Sequence, residues 1–370
     1  MSVKPFPNLA VSIVSMIQTY LVKLLLAPVS LLYGAGVSLR NFFYKTGLLK
    51  SLSFSIPVIS VGNLSVGGAG KTPHIEYLIR LLRAHVYIAT LSRGYKRKTR
   101  GFIEVQKNMT AEQVGDEPLQ FKKKFPDITV AVAENRAFAI PNLKMRNPNT
   151  EVILLDDAFQ HRSVKPGKNI LLTEYDHPFT KDYLLPSGRL REWRSAYQRA
   201  DIIIVSKCPA NITEADRTAF RQEINPLPHQ QLFFSYYKYY QPQYIINPAY
   251  STNLQTDWDV LLVSAIARTD YLMSYLEPLV NSIHSMEYED HHPFTAYDLS
   301  QIKQKFDQMD SEKKLILTTE KDAVRLLLHQ DFIINNRLPI FAVPVQVQFH
   351  FEEGAAFDEE IKKFLLDFKV

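Results

Sequence analysis

Residues 58–73, VISVGNLSVGGAGKTP, constrain this chain more than any other stretch. An apolar run leads through Gly67, Gly68 and Gly70 directly into Lys71, Thr72 and a helical pattern, PHIEYLIRLLRA. A buried strand that turns through glycines into a helix N-terminus belongs to a parallel sheet covered by helices. That turn aims backbone N–H groups and the positive end of a helix dipole at one point, where a polyphosphate is held. On this reading Gly67, Gly68, Ala69 and Gly70 form the cradle, Lys71 neutralises β- and γ-phosphates, and Thr72 offers its hydroxyl to Mg²⁺. The usual pattern G-x-x-x-x-G-K-[ST] wants glycine where Ser65 stands, so Gly62 and the Gly67–Gly68 pair are expected to supply the turn.

The same rhythm continues downstream. Apolar runs at HVYIATLSRG, ITVAVAE, EVILLDD, NILLTE and DIIIVSK alternate with helical patterns at AEQVGDEPLQFKKKF and NRAFAIPNLKM. The fold class expected is α/β, with a P-loop-type, mostly parallel sheet sandwiched by helices. At 370 residues the chain exceeds what one core usually serves, and a second α/β set follows in DVLLVSAIAR, TAYDLSQIKQKFDQM, KLILTT and KDAVRLLL. Two aromatic, alternating stretches, QQLFFSYYKYYQPQY and PIFAVPVQVQFHF, flank that set and are expected to pair as a two-stranded linker. The expected division is 1–50, 51–230 completed by 351–370, and 231–350.

Acidic residues are absent before Glu76, whereas Lys4, Lys23, Arg40, Lys45, Lys50 and Lys71 fall in that stretch. From Leu9 to Tyr33 the chain is mostly apolar, interrupted by Gln18 and Lys23 and, on this reading, broken at Pro28. Leu9, Ile13, Ile17, Leu21, Leu24 and Leu25 recur at helical spacing. An amphipathic helix lying on an anionic membrane surface is expected, followed by a second short segment, GVSLRNFFYKTGLL; a true span and a helix packed on its own domain are the alternatives. A formal net charge of +5 is too small for this length to imply a nucleic-acid partner, and no obligate protein partner is indicated. The single cysteine, Cys208, allows no internal disulfide.

A phosphate loop needs a carboxylate for the metal, and Asp156 or Asp157, at the end of EVILLDD, stands where one is required. The loop Ser206-Lys207-Cys208-Pro209 lies where a guanine-reading N-K-x-D would fall and lacks its aspartate, which favours ATP. VGDEP offers Asp116 and Glu117 as a base or orienting carboxylate for an attacking hydroxyl, with Asp116 as a helix N-cap the simpler alternative. EDHHPF brings Asp290, His291 and His292 together without the further Cys or His that a zinc site demands. Arg93, Tyr95, Lys96 and Arg97 in LSRGYKRKTR, and Arg189 and Arg191 in LLPSGRLREW, suit an anionic substrate group, and Glu192 is a further metal candidate. In TEKDAVRL, Thr319 is expected to cap a helix with Glu320, Lys321 and Asp322 exposed at its start, the alternative being that Lys321 approaches the nucleotide from the second domain.

Taken in order, APVSLLYG, Arg40-Asn41, VGNLSVGGAGKTP, LSRGYKR, VGDEP, DDAFQH, LLPSGRLRE, EDHH and TEKDAV resemble the tetraacyldisaccharide 4′-kinases, from about Ala27 to Val324. The resemblance implies an ATP- and Mg²⁺-dependent kinase acting on the lipid A disaccharide precursor at the cytoplasmic face of the bacterial inner membrane. It also implies Asp116 as general base, aided by a histidine of the EDHH block, assigned to His291, with Glu117 beside the substrate. A membrane-associated P-loop switch ATPase, a binding module, would share the loop and the paired aspartates but need no histidine block.

Overall fold

The computed structural model describes residues 9–369, with side chains from residue 21 onward. Its first element is a single helix, α1 (Leu9–Thr46), which runs through Pro28 without a break and joins the two segments expected from the sequence. A proline inside a helix removes one N–H and crowds the carbonyl four residues back, at a cost of about 3 kcal/mol. Contacts on both sides of Pro28 keep the helix intact. Ser187 Oγ donates to the carbonyl of Lys23 (3.0 Å), Ser30 Oγ donates to the carbonyl of Leu184 (3.2 Å), and Trp193 Nε1 donates to Ser38 Oγ (2.9 Å). Gly34 lets the Trp193 ring and Leu184 lie where a Cβ would stand. Leu24, Leu25, Leu31 and Leu32 face outward and are exposed.

The body then follows in β-α order: β1 (Val58–Asn63), α2 (Lys71–Leu82), β2 (Ile88–Ser92), β3 (Ile103–Glu104), α3 (Ala111–Val114), α4 (Asp116–Lys124) and β4 (Thr129–Val132). The helix expected over AEQVGDEPLQFKKKF is split, because Gly115 takes φ 94° and ends α3 before α4 begins. Next come α5 (Arg136–Arg146), β5 (Val152–Asp156), β6 (Lys168–Glu174), β7 (Ile202–Ser206), α6 (Glu214–Ile224) and β8 (Gln231–Tyr239). The second set comprises β9 (Gln243–Tyr244), β10 (Asp259–Ser264), α7 (Asp270–Leu276), β11 (Ser282–Glu287), α8 (Ala296–Asp307), β12 (Lys314–Thr319), α9 (Glu320–Leu326), α10 (Gln330–Asn335) and β13 (Ile340–Val343). The chain returns through β14 (Val345–Phe349) to α11 (Gly354–Leu366).

Among the described residues the larger sheet has the order β14-β8-β7-β6-β1-β5-β2-β4-β3, parallel from β8 to β4 and antiparallel at both edges. The smaller sheet has the order β11-β10-β12-β13-β9 and is parallel except for β9. β1 is buried along its whole length between β5 and β6, which is why its sequence is apolar rather than alternating. Pro344 divides PIFAVPVQVQFHF between the two sheets. Having no N–H to give a ladder, it accepts from Tyr240 N (3.0 Å) while β14 pairs with β8. Phe357 and Ile361 of α11 close over the core of the larger sheet beside Ile75 and Ile79 of α2.

With β1, β5 and β2 adjacent and parallel, the loops that leave their C-terminal ends converge. A parallel α/β sheet binds ligands at that edge.

Candidate active site

A cavity of about 680 Å³ opens at this edge, between the loops of the larger sheet and those of the smaller one. Gly67, Gly68, Gly70, Lys71 and Thr72 line one wall. Gly70 has φ 84° at the entry to α2, and a Cβ there would collide with the hydroxyl of Tyr237, so glycine is required on two counts. Gly67, at φ 112°, makes the turn. Gly62 does not: it is paired within β1 against Leu171, and the backbone N of Phe159 would lie 2.9 Å from a Cβ at that position. Ala69 sits in the loop but off the cavity wall, its carbonyl accepting from Ser206 Oγ (2.9 Å).

The paired aspartates end β5 directly opposite, in different electrostatic settings. Asp157, at φ 46°, accepts from Arg191 through both carboxylate oxygens (3.0 and 3.2 Å) and lies 3.7 Å from Lys71 Nζ. Burial alone would raise its pKa, but Lys71 and Arg191 outweigh that and hold it well below the usual carboxylate range. Asp156 is pushed up to about 7 by burial, with the charges of Asp157 and Glu117 adding to the effect. Its Oδ1 is buried and has no hydrogen-bond partner. Lys71 Nζ also donates to Asn63 Oδ1 (3.1 Å), and Arg191 bonds the same amide oxygen.

Across the cavity, Asp116 opens α4. Gly115 is the N-cap, so the aspartate side chain is free of capping duty and turns to His291, whose Nδ1 lies 2.9 Å from Asp116 Oδ2. His291 takes φ 63° and lines the cavity with Glu117 and Lys321; Asp116 lies behind them, 7% exposed. Lys321 Nζ is 3.0 Å from His291 Nε2 and 3.0 Å from Glu117 Oε1. The ring is thus held edge-on between the two sides, Nδ1 toward Asp116 and Nε2 toward Lys321. Burial would raise the pKa of Glu117, but Lys321 and then His291 outweigh it and lower it; burial would lower that of Lys321, yet Glu117 and Asp290 keep it raised. His292 turns the other way, to Asp298 (3.1 Å) and the ring of Tyr288.

Arg93 and Tyr95 line the cavity as the sequence suggests, the Tyr95 ring meeting His291 edge-on with centroids 5.0 Å apart. Several expectations are corrected. Arg97 is buried against Glu134 (2.6 Å) and the carbonyl of Gly101, because Glu134 ends the neighbouring strand and takes its charge. Lys96 turns to the carbonyl of Asp290 (3.2 Å), and Arg189 to Asp182 (3.1 Å), both off the cavity wall. Glu192 is no metal candidate, since it is buried away from the loop, bonded by Arg199 (2.8 Å) and by Asn41 of α1 (3.0 Å). Thr319 caps α9 as expected, but Asp322 is fully buried and Glu320 is tied to Lys124 (2.6 Å) rather than exposed.

Sequence reasoning passed over Asn63, Arg136, Tyr237, Tyr239, Arg268 and Tyr271, all at the site. The alternating aromatics of β8 were legible only as a linker, yet Tyr237 and Tyr239 form part of the wall. Lys207, considered only for guanine reading, enters the cavity near Gly68 with its Nζ 3.6 Å from Glu174, and burial lowers its pKa.

The family model for tetraacyldisaccharide-1-P 4′-kinase matches residues 22–366. The tetraacyldisaccharide 4′-kinase of Bacteroides thetaiotaomicron is 44% identical over 347 residues, covering 91% of each chain. That of Flavobacterium psychrophilum is 47% identical over 303 residues, covering 81% of this chain and 86% of its own. A crystal structure of LpxK from Aquifex aeolicus in complex with ATP is similar with a TM-score of 0.71 and 28% identity, over 93% of this chain and 99% of that one. The chain belongs to the tetraacyldisaccharide-1-P 4′-kinase family.

Proposed function

We propose that this protein is an ATP-dependent kinase that transfers the γ-phosphoryl group to the 4′-hydroxyl of a tetraacyldisaccharide 1-phosphate, the lipid A precursor. The single observation that carries the reading is the cavity itself. A phosphate loop forms one wall, and a histidine hydrogen-bonded to a buried aspartate closes the other (2.9 Å). A nucleotide switch needs the first wall but has no use for the second.

The γ-phosphate lies against Lys71 and the N-terminus of α2, whose dipole favours the charge that builds up during transfer. Asp116, oriented by His291, accepts the proton of the 4′-hydroxyl as its oxygen bonds to phosphorus and the bond to the ADP oxygen breaks. Lys321, 3.0 Å from Nε2, steadies the ring with Nδ1 turned to Asp116. Arg93, Arg191 and Tyr95 face the sugar and its phosphate from the cavity wall. A divalent cation fits beside them, because the buried Oδ1 of Asp156 has no hydrogen-bond partner and is an oxygen of the hard type such an ion takes. Asp156 and the Thr72 hydroxyl would hold Mg²⁺, with Asp157 committed to Arg191 and Lys71. There the ion would neutralise phosphate charge.

The functional parts divide as residues 51–230 with 351–370, which carry the phosphate loop and Asp116, and residues 231–350, which carry His291 and Lys321. Residues 1–50 attach the enzyme to the cytoplasmic face of the inner membrane. In support, α1 turns Ser30, Gly34, Ser38 and Asn41 to the body and Leu24, Leu25, Leu31 and Leu32 outward, as a helix lying at an interface would. The most apolar 18 residues within Leu21–Thr46 have a mean hydropathy of 1.7, with 11% of them buried.

The test follows label from [γ-³²P]ATP into a detergent-dispersed disaccharide 1-phosphate by thin-layer chromatography. Labelled lipid is expected from the wild type, with at least a roughly 100-fold loss in Lys71→Met. ATP hydrolysis with no labelled lipid would return the chain to the switch ATPases.

A further inference from the structure

Asp116 has a second neighbour besides His291. Arg325, on the inner face of α9, is almost wholly buried, with its guanidinium Nη1 3.4 Å from Asp116 Oδ2. Its Nη2 donates to the carbonyl of Ala265 (3.1 Å) and to Asp322, while Nη1 and Nε have no hydrogen-bond partner. The carbonyl of Ala265 also accepts from the backbone N of His291 (3.1 Å), and the amide of Ala265 donates to Asp322 (3.1 Å). One guanidinium therefore touches the aspartate of the larger sheet and the backbone atom that holds His291 in its left-handed conformation.

A buried arginine needs one carboxylate, and Asp322 three residues earlier supplies it. The approach to Asp116 goes beyond that need. The rigid, planar guanidinium bonds the Ala265 carbonyl through Nη2 and thereby fixes the charge of Nη1 beside Asp116, an ion pair rather than a hydrogen bond, where an ammonium offers one point. With His291 and Arg325 both on Oδ2, the other oxygen, Oδ1, is the one left to take a proton.

We propose that Arg325 is a positioning residue for phosphoryl transfer, holding Asp116 in the orientation that presents Oδ1 and coupling it to His291 through the Ala265 carbonyl. This rests on the kinase reading above. Because Arg325 and His291 arrive from the smaller sheet and Asp116 from the larger, the base is assembled only where the two meet. Arg325 itself does not line the cavity.

The test compares wild type with Arg325→Met, Arg325→Gln and Arg325→Lys in the lipid-labelling assay, varying ATP and acceptor separately, with thermal melting to establish folding. Arg325→Met is expected to lower kcat roughly 100-fold, the scale of a misplaced catalytic group, with KM for ATP unchanged. Arg325→Lys is expected to recover roughly tenfold of that loss by restoring the charge without the fork. If Arg325→Met does not fold, Arg325→Gln, uncharged but polar, carries the same expectation. A folded, uncharged variant with wild-type kcat, a loss that falls in KM alone, or a lysine variant no better than methionine would each overturn the proposal. Failure of the wild type to label lipid would instead overturn the kinase reading.

Discussion

At the scale of single residues, environment decides what each ionisable group does. His74 on α2 illustrates this. Its Nδ1–H donates to the carbonyl of Gly70 (2.7 Å), its Nε2 accepts from Ser235 Oγ (3.0 Å), and burial lowers its pKa to about 4. The folded chain therefore binds fewer protons than the unfolded chain between about pH 4 and 6.5, and stability falls as pH falls through that window. Between pH 7 and pH 5 this group alone accounts for about 2 kcal/mol. His161, also lowered to about 4 by burial but less enclosed, adds to the slope. Urea unfolding at the two pH values measures the sum, and His74→Gln is expected to reduce the difference. An unchanged difference would show that His74 is not held neutral. The phosphate loop would then lack the fixed donor that steadies Gly70.

At the scale of elements, α1 is shaped by what it meets rather than by propensity. Pro28 argues for a break, and a helix alone in water would have one; the bonds from Ser187 and Ser30 on either side of it favour continuity. The same docking turns Leu24, Leu25, Leu31 and Leu32 away from the protein. Replacing these four by serine is expected to abolish co-flotation with anionic phospholipid vesicles and leave kcat on a detergent-dispersed acceptor within roughly twofold, since none lines the cavity. Flotation equal to wild type would remove the case for α1 as the anchor. The strand β11, SIHSME, was illegible for a related reason. It is a polar edge strand with one neighbour, so nothing in its composition distinguishes it from a loop.

At the scale of the whole molecule, the cavity is shared between two sheets, with Lys71 and Asp157 on one side and Arg268, His291 and Lys321 on the other. A ligand bound there stabilises both sides at once. Mg-ATP at about 100 times its Kd is expected to add about 2.7 kcal/mol and raise the melting temperature by several degrees in a single transition. Lys71→Met should lose most of that rise. An equal rise in the variant would place the nucleotide elsewhere. Lys124, which bridges Glu76 of the larger sheet and Glu320 of the smaller one at 2.7 and 2.6 Å, is part of what keeps the two sides in register.

Periodicity and glycine placement were enough to determine the parallel sheet and the phosphate loop between one of its strands and a helix, because these follow from local backbone geometry and the burial of apolar faces. Tertiary structure alone decided which charges face the cavity. Arg97 and Glu192 read like site residues and are spent on Glu134 and Arg199, while Arg136, Lys207 and Arg325 read like ordinary charges and reach the site or its base. A long charged side chain points to whichever opposite charge the fold brings within a few ångströms, whether that partner is 7 residues away, as Arg199 is from Glu192, or 37, as Glu134 is from Arg97.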